Sequence, residues 1–461
     1  MKLHSSFRDP SGFVFQREGL LYRQVNQSYQ ETYEQLMSSG LYQQLSSARA
    51  LIPHEECPVD IAPNPGTAYK VIKPAPIPFV SYPYEWCFDQ LKDAAVLTLS
   101  IARRALQYDM ILKDASAFNV QFQKGRPIFI DTLSFDRYQV GAPWVAYKQF
   151  CQHFLAPLSL MAKTDFRLNQ LLRVYIDGIP LDLASALLPG SSWLNPPLLS
   201  HIHLHAKTQQ KYADREYPQE QIPGRVSKNA LEALLYSLLS AVRSLKLKTQ
   251  KSEWGDYYDK TNYAQTAFEA KHEIVRAFIL RADPGSVWDL GANTGEFSRA
   301  ASNLGIQTTA FDIDHAAVSR NYALVKQNKE TNLLPLCMDL TNPSPALGWN
   351  CSERMSLVER GPVDLVMALA LVHHLAISNN TPLEDLASFF SQLGGWLVIE
   401  FIPKSDSQVK RLLSSRVDIF PDYTKIGFEN AFRKYYEIVE EAPIAGSERT
   451  LYLMQRKVTL A

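Results

Sequence analysis

Residues 287–298, VWDLGANTGEFS, set an acidic side chain, Asp289, just ahead of two glycines, Gly291 and Gly295. Without a Cβ, the backbone at those glycines can turn sharply and come close to a bound molecule. About twenty residues later the run QTTAF ends at Asp312, where a carboxylate is placed to accept hydrogen bonds from a ribose diol. A turn and an acid at this separation describe a nucleoside site far better than either does alone. His373 and His374 in ALALVHHLAI, and Glu400 in IEF, could take a proton from an acceptor. Each also has a plainer role: a histidine satisfying backbone groups at a strand end, and Glu400 pairing with Arg433 or Lys434. A second cluster lies in LKDASAFNVQFQKGRPIFIDTLSF, residues 112–135. There Asp114 and Asn119 stand five apart and Asp131 follows twelve later, two carboxylates and an amide able to orient a hydroxyl or share a divalent cation. The plainer alternative has Asp114 capping a turn and Asp131 ending a strand.

These residues need elements to hold them. Residues 12–25, GFVFQREGLLYRQV, form two alternating runs about Glu-Gly, a hairpin pattern. Ala68–Ile72 reads as a strand, 87–106 as a long amphipathic helix, and 119–122 with 127–130 as another hairpin. Helical spacing returns over 147–188 and 231–247. After Trp254 the rhythm changes to strand-like runs at 286–290, 307–311, 333–338, 363–369 and 395–401, separated by helix-length segments, with a late strand at 450–455. That alternation predicts a doubly wound parallel sheet. The fold class expected is α/β at the carboxy-terminal end, preceded by an α+β region.

At 461 residues the chain exceeds what one core usually serves, and we place domains at 1–250 and 251–461. Lys plus Arg and Asp plus Glu both number 47. No net field is left to attract a polyanion, so a nucleic-acid partner is not signalled. No apolar run reaches the roughly 18 to 20 residues of a membrane span, and the first residues lack a secretory pattern; no membrane partner and a cytoplasmic location are expected. The five cysteines, Cys57, Cys87, Cys151, Cys337 and Cys351, show no CxxC spacing, so neither a disulfide framework nor a zinc site is suggested. His201, His203 and His205 alternate in SHIHLH. Neighbouring prolines and the lack of a fourth ligand argue against a metal there, and no metal is expected.

The segment 287–298 resembles the first motifs of class I S-adenosylmethionine-dependent methyltransferases, whose glycine loop holds the methionine part of the cofactor. Asn293 stands where the dinucleotide fingerprint has its middle glycine, which argues against NAD. The resemblance continues through Cys337-Met338-Asp339, Asp364, ALALVHHLAI and SERTLYLMQRK. It implies a Rossmann-like domain binding S-adenosylmethionine through Asp289, Gly291, Asn293, Gly295, Asp312 and Asp339, the last facing the adenine amine. It also implies that Tyr263, on a helical segment with Phe268 and Lys271, caps the cofactor, and that His373, His374 and Glu400 are the catalytic candidates.

Residues 112–135 are similar to the catalytic loop and metal-binding aspartate of protein-kinase-like folds, especially the small-molecule phosphotransferases. That similarity implies a site for Mg-ATP at Lys70, Asp114, Asn119 and Asp131, with Lys70 (or Lys73) paired to Glu85. The departures are Leu112 in place of a histidine, Thr132-Leu133 after Asp131, and no glycine-rich loop.

Through segments such as FVSYPYEWCFDQLKDAA, PWVAYKQFCQHFLAPL and LRVYIDGIPLDLAS, most of the chain resembles the bacterial methyltransferase family related to the nodulation host-specificity methyltransferase. This resemblance implies a small-molecule or carbohydrate acceptor. Two functions stay open: a methyltransferase whose front half is a substrate platform, and a bifunctional or nucleotide-regulated protein whose kinase-like half binds ATP. The oligomeric state is not legible.

Overall fold

A computed structural model describes residues 2–207, 226–247, 265–414 and 417–457. The chain forms two compact units, one of residues 1–249 with 347–354 and the other of 250–346 with 355–461.

In the first unit, Gly12–Arg17 (β1) and Leu20–Asn26 (β2) pair antiparallel. Their turn places Glu18 and Gly19 at φ of 53° and 77°. Two left-handed residues give a hairpin turn whose twist matches that of the strands. His54–Cys57 (β3) and Ala68–Pro74 (β4) complete a sheet of order β1-β2-β4-β3. Alternation drives it together: Phe13, Phe15 and Val71 bury in one apolar cluster, Val25, Tyr29, Tyr33 and Ile72 in another. β3, the sequence HEEC, carries almost no apolar signal, and its register comes from pairing with β4.

The helix Phe88–Leu106 buries a stripe that includes Leu91, Ala95, Leu99 and Ala102. It leads into Met110–Leu112 (β5), the hairpin Val120–Gln123 (β6) with Arg126–Phe129 (β7), and Phe135–Arg137 (β8), which pairs with β5. Lys92 Nζ donates to the carbonyls of Arg243 and Leu245 at 3.0 and 2.7 Å, at the end of the helix Lys228–Ser244. The histidine-rich stretch is helical, winding as a π-helix over Leu199–Leu204. Hydroxyls occupy its rings: His201 contacts Tyr147 Oη at 2.8 Å and Ser237 Oγ at 3.0 Å, and His203 contacts Ser185 and Ser192 Oγ at 2.7 and 2.9 Å.

Among the described residues, the second unit begins with the helix Gln265–Ala282. Seven strands follow: Ser286–Leu290 (β9), Gln307–Asp312 (β10), Leu333–Cys337 (β11), Val363–Ala368 (β12), Gly394–Phe401 (β13), Tyr436–Pro443 (β14) and Thr450–Arg456 (β15). Their order is β11-β10-β9-β12-β13-β15-β14. The first five are parallel, and β15 is antiparallel to both neighbours. Strands covered by helices on both faces read as continuous apolar runs, as β9, β12 and β13 do. The edge strand β14 was not anticipated. Its sequence YEIVEEAP is charged and its pairing shifts between Ile438 and Glu440, features that protect an edge from mispairing but erase the alternation that marks a strand. From β9 the chain runs outward to β10 and β11, then crosses back to β12 and β13, so the order reverses between β9 and β12. Ligands of open α/β sheets bind at the carboxyl ends of the strands beside such a reversal. Among the described residues no helix is long and apolar enough to cross a membrane.

Candidate active site

β9 delivers Asp289 to the reversal point, with Ala310 of β10 and Met367 of β12 as its register partners. Its carboxylate is buried and accepts a hydrogen bond of 2.6 Å from Ser298 Oγ. Burial pushes it up to about 7, against the pull of Ser298 and the Lys271 ammonium. Beyond β9 the loop uses three left-handed residues, Gly291 at φ 78°, Asn293 at 50° and Gly295 at 81°. A Cβ on Gly291 would meet Leu371 Cδ1 at 3.3 Å, and one on Gly295 would come within 2.4 Å of Asn321 Nδ2. Asparagine is among the few residues that visit this conformation readily. Here the Asn293 Oδ1 accepts the Thr294 N–H at 2.8 Å, while its own N–H donates to Asp312 Oδ2 at 2.7 Å. The loop is clamped from outside by Arg299, which donates to both Glu330 oxygens at 2.9 and 3.0 Å, to the Thr294 carbonyl at 2.8 Å and to Asn321 Oδ1 at 3.0 Å.

Asp312, at the end of β10, accepts a second N–H, from Asp314, at 2.8 Å. Burial lifts it to about 6, partly offset by these backbone donors. At the end of β11, Asp339 Oδ1 accepts both the N–H and the hydroxyl of Thr341, at 2.8 and 2.6 Å. The three carboxylates line one cavity of about 320 Å³, together with Gly291, Asn293, Phe268 and Lys271. Gly295 is not in its wall; its part is to let the loop close against Asn321. Tyr263 lies outside the described residues.

On the opposite wall, Leu369–Leu371 follow β12 and lead into His374. Burial holds the His374 imidazole down to about 4, so it is neutral at physiological pH. His373 is not in the wall. It is 1% exposed, its ring centroid lies 4.1 Å from that of His374, and burial lowers its basicity as well. Glu400 is fully buried behind the wall and accepts hydrogen bonds of 2.7 Å from Lys271 Nζ and from the Ala370 N–H, with Arg449 Nη1 at 3.6 Å. Its ion pairs are therefore with Lys271 and Arg449. Arg433 and Lys434 pair instead with Glu429 and Glu384. Of the three groups read as catalytic, only His374 faces the cavity. Sequence reasoning missed Arg449, which lines it from just before β15 and whose charge in SERTLY gave no spacing signal.

In the first unit, Asp114, Asn119 and Asp131 do come together. Asp114 Oδ1 accepts the Ser116 N–H at 2.9 Å, Asn119 Nδ2 donates to Ser134 Oγ at 3.2 Å, and Asp131 caps the turn Thr132–Ser134 through the Leu133 N–H at 2.9 Å. Asp114 is raised by burial and by the nearby Asp131 carboxylate. Lys70 does not join them, and the expected Lys70–Glu85 pair is corrected. Lys70 Nζ donates to Glu56 on the adjacent strand β3 at 2.7 Å. Glu85 is buried in the turn Pro83–Glu85, where its carboxylate accepts the Tyr82 N–H at 2.9 Å. The cation that does meet Asp131 is Arg23 on β2, which also lies 3.7 Å from Asp9. No group of three or more His, Cys, Asp or Glu side chains arranged to hold a metal occurs among the described residues.

A doubly wound sheet, a left-handed glycine loop and carboxylates at three successive strand ends define the class: this is an S-adenosylmethionine-dependent methyltransferase. Residues 263–434 match the family model described as a methyltransferase domain. The chain belongs to the family of the nodulation protein NoeA of Rhizobium meliloti strain 1021. The two are 34% identical over 466 residues, which span 99% of this chain and 96% of that protein. Among solved structures, it is similar to the magnesium protoporphyrin IX methyltransferase of Synechocystis PCC 6803 with bound SAH, at 15% identity and a TM-score of 0.33 over 44% of this chain and 93% of that one. It is also similar to the PH0226 protein of Pyrococcus horikoshii OT3, at 15% identity and a TM-score of 0.32 over 45% and 100%.

Proposed function

We propose that the protein transfers a methyl group from S-adenosylmethionine to a small-molecule or carbohydrate acceptor, with the cofactor in the cavity at the β9–β12 reversal. The observation that carries this reading is that Asp289, Asp312 and Asp339, from three successive strand ends, all line that cavity. Gly291 and Asn293 line the methionine part, Asp312 accepts from the ribose hydroxyls and Asp339 from the adenine amine. Asp289 faces the positive end of the cofactor. The bound sulfonium supplies an electrophilic methyl and a neutral leaving thioether. What remains for the protein is to align the acceptor, exclude water and take up a proton where one is released. Neutral His374, which lines the cavity, is a group able to accept that proton.

Calorimetric titration with S-adenosylhomocysteine tests the cofactor assignment. Saturable binding that is lost in Asp312→Ala supports it, and unchanged binding in that variant removes it.

For the first unit the reading favoured is a kinase-like platform that does not use Mg-ATP. The order of long helix, Asp114–Asn119 loop, hairpin and Asp131 supports the kinase-like comparison. The Arg23 guanidinium supports the platform reading, because it pairs with the carboxylate that would otherwise hold magnesium. A thermal shift with Mg-ATP that disappears in Asp131→Ala would reverse this reading in favour of a nucleotide-regulated enzyme.

A further inference from the structure

Ala370 has a φ of 50°, a left-handed conformation that an alanine adopts only when its surroundings impose it. The residue stands where β12 hands over to the segment carrying His374, and it lines the cavity. Its N–H donates to Glu400 Oε2 at 2.7 Å, and the same oxygen accepts from Lys271 Nζ at 2.7 Å. The other carboxylate oxygen lies 3.6 Å from Arg449, which is itself fixed to Asp406 at 2.8 Å. Lys271, Ala370 and Arg449 all line the cavity, and they come from three separate parts of the chain: the helix before β9, the turn after β12 and the entry to β15. Glu400 is not among the residues lining this cavity and is fully buried, yet it ties the three together. The residue next to Ala370, Leu371, stands over the glycine loop, close enough that a Cβ on Gly291 would touch it. The conformation of Ala370 therefore sets how closely the two walls approach.

We propose that Glu400 is a positioning residue that holds Ala370 in its left-handed conformation and so fixes the wall of the cavity facing the glycine loop, without touching cofactor or acceptor. The inference rests on the placement of the cofactor in this cavity. A carboxylate between two buried cations would by itself be a structural ion cluster. What goes further is the hydrogen bond to a strained backbone at the cavity wall, because it makes cofactor affinity depend on the reach of one side chain.

Reach and charge can be separated. Glu400→Asp keeps a buried carboxylate charge for Lys271 and Arg449 but withdraws the oxygen that the Ala370 N–H shares with Lys271 Nζ, and only the Ala370 part of that loss can be recovered at Ala370. The expected result is about tenfold weaker binding of S-adenosylhomocysteine by calorimetry, equivalent to about 1.4 kcal/mol. Adding Ala370→Gly, which supplies the left-handed conformation without help, is expected to recover the Ala370 part of that loss. An ion cluster with a merely structural role gives no such rescue. Affinity equal to wild type in Glu400→Asp, or no recovery in Glu400→Asp/Ala370→Gly, overturns the proposal. If Glu400→Asp does not fold, the comparison of Glu400→Gln with Glu400→Ala decides. The amide oxygen of the glutamine still reaches the Ala370 N–H, so Glu400→Gln must bind more tightly than Glu400→Ala, and the reverse order overturns the proposal. Failure of the wild-type chain to bind S-adenosylhomocysteine would instead remove the cofactor assignment on which the inference rests.

Discussion

Replacing Gly295 by alanine tests the architecture of the glycine loop at its tightest point. The residue sits at φ 81°, and an added Cβ would lie 2.4, 2.7 and 2.8 Å from the Nδ2, Oδ1 and Cγ atoms of Asn321. A flexible side-chain end could usually step aside. Asn321 cannot do so cheaply, because it is 1% exposed and its Oδ1 accepts from Arg299, itself held by Glu330 and the Thr294 carbonyl. Left-handed strain in a non-glycine residue costs about 1–2 kcal/mol. Displacing Asn321 adds the loss of a hydrogen bond to a charged group, about 1.5–3 kcal/mol. The expected destabilisation is roughly 2.5–5 kcal/mol, and for a unit of this size each kcal/mol lowers Tm by about 2–4 °C. Gly305 provides the control: its φ is 86°, but nothing lies within 4 Å of its would-be Cβ, so Gly305→Ala should show the backbone strain alone. Scanning calorimetry of both variants separates the two contributions, and Asn321→Ala in the Gly295→Ala background should recover part of the loss. Equal melting temperatures for Gly295→Ala and Gly305→Ala would refute the reasoning, since strain without crowding would then account for both.

The raised Asp289 makes a pH prediction. Between its ordinary 3.8 and about 7 the folded, cofactor-free protein holds a proton that the unfolded chain has lost, so this group's contribution to stability falls as pH rises through that window. A cationic cofactor favours the ionised form, so S-adenosylmethionine should bind more tightly as pH rises from about 5.5 to 7 and release protons on binding; calorimetry in buffers of different ionisation heat reads this, and a flat profile argues against it. Asp312→Ala removes the acceptor of two backbone N–H groups and of the proposed ribose contacts, and at about 1.5–3 kcal/mol per charged hydrogen bond should weaken S-adenosylhomocysteine at least tenfold. In the first unit, Arg23→Ala leaves Asp131 without its guanidinium. A loss of Tm with no stabilisation by Mg-ATP in either protein is expected, and Mg-ATP stabilisation of the wild type would contradict the platform reading.

Much of the second unit was legible because each parallel strand is buried on both faces and announces itself as an apolar run, with turn chemistry between. The edge strand β14 was not, because its residues serve solvent as much as the sheet. The amino-terminal hairpins were readable from Glu18-Gly19 and Lys124-Gly125, where the backbone adopts left-handed turns. β3 had no such mark. Its place depends on β4, a partner that local sequence does not show.

By itself the sequence located the glycine loop and the carboxylates Asp289, Asp312 and Asp339, on which the proposed cofactor site rests, because these depend on short-range spacing after a strand. Only the tertiary structure decided which neighbours each charge meets. It turned His374 toward the cavity and His373 away, gave Glu400 to Lys271 and Arg449, and set Arg23 rather than Lys70 against Asp131. Those outcomes turn on packing between residues far apart in the chain. An ion pair is formed by proximity and mutual desolvation, and neither is written in the spacing of one segment.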